Sequence, residues 1–67
     1  MIAFNVPDMT CGHCSRVITE AVRALDARAV VDVDLAAHRV EIESAVVQAT
    51  ELLAALRAEG YTPEQLP

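Results

Sequence analysis

Lysine and tryptophan are missing from this 67-residue chain, which has one Tyr, one Phe and two Gly. Its five basic residues are all arginine and face ten acids, for a net charge of −5. Nucleic acid is not expected as a partner, because phosphate neutralisation needs a basic face. With so few aromatic rings, the core has to be assembled from Val, Ile, Leu and Ala. No apolar run approaches the roughly 18 residues that cross a bilayer, so membrane insertion is not expected. Met1–Val6 lacks the basic region and longer apolar stretch of a secretory leader. A cytoplasmic, reducing location is therefore expected, in which Cys11 and Cys14 stand as thiols or thiolates. A disulfide between them would close too short a loop to stabilise the fold appreciably.

What is present suffices for one small domain over residues 1–67. Met1–Val6 alternates weakly, carries Phe4 and Val6, and stops at Pro7-Asp8, which reads as a first strand. From Cys14 the apolar residues fall at Val17, Ile18, Ala21, Val22 and Leu25, the stripe of an amphipathic helix that starts near Gly12 to Cys14. Ala29–Asp34 and Arg39–Glu43 alternate apolar and charged residues and form a hairpin with a wet outer face. Ser44–Gln48 is compatible with loop or early helix. Thr50–Glu59 has high helix propensity, with Leu52, Leu53 and Leu56 on one side and Gly60 as its stop. Tyr61–Pro67 reads as a terminal strand that its prolines confine to a sheet edge.

The order β-α-β-β-α-β is the split arrangement of ferredoxin-like α+β domains: a four-stranded antiparallel sheet, order 4-1-3-2, with both helices on one face. This topology gathers three connections at one end of the molecule. They are the loop carrying the two cysteines, the hairpin turn with Ala37 and His38, and the Gly60-Tyr61 junction.

The tetrapeptide Cys11-Gly-His-Cys14 supports two chemistries, a redox centre and a soft-metal site. Thiolates favour Cu(I) and other soft ions, and two cysteines at i, i+3 across a helix start can converge on one ion. Cys14 falls in the first helical turn, where unsatisfied N–H groups and the helix dipole favour negative charge. Two thiolates satisfy Cu(I). They do not complete tetrahedral zinc, and no second Cys-x-x-Cys is present.

The stretch Met9-Thr-Cys-Gly-His-Cys14 resembles the MxCxxC signature of heavy-metal-associated domains, the family of copper chaperones and of the N-terminal modules of metal-transporting P-type ATPases. The similarity extends to the element order, the Asp-Leu of the hairpin and the Gly60-Tyr61 junction. One departure is Asp8, where the family usually has glycine. The resemblance implies a Cu(I) chaperone without enzymatic activity, holding one ion through Cys11 and Cys14 and passing it by ligand exchange to such an ATPase. A metal-bridged homodimer is a further possibility it carries. Disulfide isomerases resemble the chain in four letters only: Thr10 precedes Cys11 where they have an aromatic residue, and no Trp is present.

The accessory residues have alternative readings. Met9 carries a soft thioether, but in the family this residue packs beneath the loop. His13 lies between the cysteines, yet at a helix start its side chain is expected to point outward. His38 is read as a solvated turn residue whose turn lies at the metal end. Tyr61 is both an amphipathic cap on the core and a candidate shield for the thiolates. Hg(II), Zn(II) and Cd(II) stand as alternative cargoes, Asp8 lending zinc weak support. An N-terminal ATPase module stands as an alternative context, although the starting Met1 and the end shortly after Gly60 favour a complete small protein.

Overall fold

The computed structural model describes residues 1–10 and 12–67; Cys11 lies outside the described residues. Its elements are β1 (Ile2–Asn5), α1 (Gly12–Leu25), β2 (Val30–Asp34), β3 (Arg39–Glu43), α2 (Ala49–Ala58) and β4 (Glu64–Gln65). They form one antiparallel sheet in the order β2-β3-β1-β4, the expected ferredoxin-like arrangement.

Register follows from alternation. Val31 pairs with Ile42 and Val33 with Val40 on the inner face, while Asp32 opposite Glu41 and Asp34 opposite Arg39 face outward. Phe4 of β1 sits opposite Val40 and is fully buried. On the same side of the sheet, α1 contributes Ile18 and Val22 and α2 contributes Leu52 and Leu56, all four without exposed surface. Burying each of these side chains is worth about 1.5–3 kcal/mol, so this layer carries most of the stability.

The helix ends are explained by local chemistry. After α2, Gly60 adopts φ 92°, its N–H donates to Arg57 O (3.0 Å), and the Tyr61 N–H donates to Leu56 O (3.2 Å). This is a Schellman closure, for which glycine is the natural residue, and it turns Tyr61 onto the core. Ser44–Gln48 is loop rather than helix, and the Ser44 hydroxyl ties it to the turn after α1. It donates to Asp26 Oδ2 (2.6 Å) and accepts from the N–H groups of Val46 and Val47 (3.3 and 3.1 Å).

The last strand is shorter than the sequence suggests. Only Glu64–Gln65 pairs with β1, opposite Asn5 and Phe4, with Leu66 N–H donating to Ala3 O (2.8 Å). Pro63 has no N–H to offer a ladder, and the N–H of Thr62 is taken by Asp8 (3.2 Å). Pairing therefore cannot begin at Tyr61.

Candidate metal centre

Val6 ends the first strand fully buried, and Pro7-Asp8 turn the chain back so that the Met9 N–H donates to Val6 O (3.1 Å). The Met9 side chain, with no exposed surface, fills the core beneath this turn. From there the chain passes through Thr10 and Cys11 into α1, whose first turn holds Cys14. The site expectation for Cys11 falls on a residue outside the description; Cys14 is half-buried and packs against the core. Cys14 lies in the first turn of this 14-residue helix, the end at which unpaired N–H groups and the helix dipole favour negative charge. His13 is exposed.

Two side chains from distant parts of the sequence tie this loop down. Asp8 accepts from the Thr62 N–H through Oδ1 (3.2 Å) and from the Thr62 hydroxyl through Oδ2 (3.3 Å). The departure from glycine at this position thus joins the first loop to the junction after α2. Each of its carboxylate oxygens accepts one bond from Thr62.

The expectation of a solvated His38 is corrected. Its ring is half-buried and its Nδ1 lies 2.9 Å from Met9 O, 29 positions earlier in the chain. The His38 carbonyl accepts from the Val6 N–H (2.7 Å), and its backbone takes φ 55°. The hairpin turn is closed ahead of it by Asp34 Oδ1, which accepts from the Ala37 N–H (3.1 Å). The ring contact depends on how the turn meets the first loop and leaves no trace in periodicity. Tyr61, half-buried, packs on the core at this end. Of the residues singled out from the sequence, Met9, Cys14, His38 and Tyr61 are thus built into one end of the fold. Among the described residues no group of three or more His, Cys, Asp or Glu side chains is gathered to hold a metal ion.

Residues 3–62 match a family model described as heavy-metal-associated domain. The chain belongs to the heavy-metal-associated domain family. No curated protein matches it. Among solved structures it is similar to the copper chaperone Atx1 from Synechocystis PCC6803 in a trimeric form, with 38% identity, TM-score 0.91, and coverage of 96% of this chain and 100% of that one. It is also similar to a gold-binding protein, with 33% identity, TM-score 0.92, and 98% and 100% coverage. A copper transporter domain from yeast, Ccc2a, shares the fold at 24% identity and TM-score 0.88, with 98% and 93% coverage. Heavy-metal-associated domains are metal-carrying modules, so the family supports metal binding and trafficking. No helix among the described residues is long and apolar enough to cross a membrane.

Proposed function

We propose that this heavy-metal-associated domain is a cytoplasmic Cu(I) carrier, not an enzyme, that acts as one domain over residues 1–67. It binds one ion through the thiolates of Cys11 and Cys14 and delivers it to a metal-transporting P-type ATPase or its metal-binding domain. The observation that carries the reading is a family match spanning both cysteines, joined to 38% identity with a copper chaperone over 96% of the chain. Softness supports the metal: two thiolates suit Cu(I), whereas zinc wants four donors. Two donors also leave an open flank. An incoming thiolate can add there, form a three-coordinate bridge and take the ion as the first protein's thiolates let go, without oxidation of metal or sulfur. The same openness would allow two copies to share an ion as a metal-bridged homodimer. Supporting this reading, Met9 is buried under the loop, Tyr61 packs on the core and His13 is exposed.

A second reading concerns cargo. The gold-binding neighbour at 33% identity favours soft ions in general, so Hg(II) is the nearest competitor and Zn(II) or Cd(II) the more distant ones. Service as the N-terminal module of an ATPase uses the same site. The reduced protein, offered Cu(I), Zn(II) and Hg(II) in competition and read by X-ray absorption at each metal edge, should retain Cu(I) with sulfur neighbours. A four-coordinate zinc site of higher affinity than copper under the same buffering would move the assignment to zinc. Thiol–disulfide exchange at the rate of a known isomerase would overturn the carrier reading.

A further inference from the structure

Met9 is held at three points. Its side chain is buried, its N–H donates to Val6 O (3.1 Å), and its carbonyl lies 2.9 Å from His38 Nδ1. A carbonyl oxygen only accepts, so the network assigns the proton to Nδ1 and makes the ring the donor. The carbonyl of Met9 and the N–H of Thr10 belong to one planar peptide unit. Fixing that oxygen therefore fixes the plane through which the chain leaves the core, two residues before Cys11.

The residue that does this sits in a backbone conformation for which glycine is the commonest choice. At φ 55°, His38 is in the left-handed region that glycine enters freely and most side chains avoid. Glycine would close the turn equally well, and the backbone tie from Val6 N–H to His38 O (2.7 Å) needs no side chain. What histidine adds is the ring contact. The ring is half-buried, so the bond is partly shielded from competing water.

We propose that His38 is a positioning residue: its Nδ1–H holds the Met9–Thr10 peptide plane, so that the chain enters the donor pair in one direction before metal arrives. Its functional consequence rests on the Cu(I)-carrier reading. A pre-ordered loop loses less conformational freedom on binding, so it retains metal more tightly and releases it more slowly. His38 thereby acts through the loop backbone and not as a ligand through Nδ1, which is already engaged.

Two variants of the full chain separate this role from a structural one. His38→Gly relieves the backbone and deletes the ring. His38→Asn tolerates the left-handed conformation and keeps a side-chain N–H near the place of Nδ1. In the reduced metal-free protein, nitrogen NMR should find the neutral His38 ring protonated at Nδ1. The Met9 carbonyl carbon should move upfield in His38→Gly and stay near its original position in His38→Asn. With Cu(I) and bicinchoninate as competing chelator, His38→Gly should lose about tenfold in retention, the size of one net hydrogen bond, and His38→Asn should stay within about threefold of the parent. An Nε2-protonated ring, an unmoved Met9 carbonyl in His38→Gly, or equal Cu(I) retention in His38→Gly and the parent would overturn the proposal. If the parent itself fails to retain Cu(I), the carrier reading falls, and the two metal-free NMR readouts decide the role of His38.

Discussion

The two ends of the sheet are closed by different kinds of contact. At the cysteine-loop end, besides the local tie of the Ala37 N–H to Asp34, two side-chain contacts reach across 29 positions, from His38 to Met9, and 54 positions, from Asp8 to Thr62, and both converge on the short run Val6–Met9. At the far end the tie from Ser44 to Asp26 spans 18 positions, and the others, Arg28 to Asp26 and Val46 and Val47 to Ser44, span two or three. The far end also borders a groove of about 510 Å³ beside the exposed Val30 and Val46, whereas Met9 and Tyr61 pack on the core at the metal end. Local ties close turns and cap helices. Distant ties hold the loop backbone that leads to the proposed metal site. Substitutions at the far end should therefore move stability alone, and those at the metal end should move metal retention as well.

The largest effect should break metal binding without breaking the fold. Replacing Cys11 or Cys14 by Ser is expected to bring Cu(I) retention below detection in a chelator competition. The apo protein should still unfold cooperatively in urea, Cys14→Ser costing about 1 kcal/mol for its partly buried sulfur. Loss of the apo fold would contradict the separation of roles.

Next comes Met9→Ala, which should cost about 2–5 kcal/mol in urea unfolding because it opens a cavity beneath the loop. Val46→Ala, at an exposed position of the far end, should stay within about 0.5 kcal/mol of the parent. Equal losses would erase the contrast between a filled end and an open one.

A smaller effect is expected from Asp8→Ala. Its contacts to Thr62 are exposed, so about 0.5–1 kcal/mol of stability should go, together with faster hydrogen exchange at the Thr62 amide. Unchanged exchange would mean that the two loops are not joined there.

The weakest expected effect is a pH dependence at the far end. The Ser44 hydroxyl first, then the Arg28 N–H, hold the Asp26 carboxyl below its usual value of 3.8, against a small opposing effect of desolvation. A group whose pKa is lower in the folded protein than in the unfolded one stabilises the fold above the unfolded value. That contribution fades as pH falls through the folded value. Asp26→Asn should therefore be less stable than the parent at neutral pH. The gap should narrow on acidification below 3.8, as read by urea midpoints across the acid range. A constant gap down to the acid limit would contradict the assignment.

Most of the architecture was legible from the residues. Alternation gave Arg39–Glu43 its observed bounds, the apolar stripe located α1, and Gly60 marked the end of α2. Element order then implied the strand order, because chain connectivity and handedness leave few alternatives. What periodicity could not reveal was the set of side-chain ties. Ser44 reads as an ordinary loop residue until its hydroxyl is seen against Asp26, and Asp8 reads as an anomaly until it meets Thr62. His38 reads as a solvated turn residue for the same reason. Such contacts depend on two loops meeting in space, which period and propensity along a single chain do not encode.

The deciding equilibrium is the division of Cu(I) between the fully reduced chain and bicinchoninate as protein is added. One equivalent of copper per chain should leave the chelator, and none should leave it for the double variant Cys11→Ser, Cys14→Ser. Copper that stays with the chelator at every ratio, or leaves it equally for the double variant, would contradict the assignment of the two thiolates as the metal's hold.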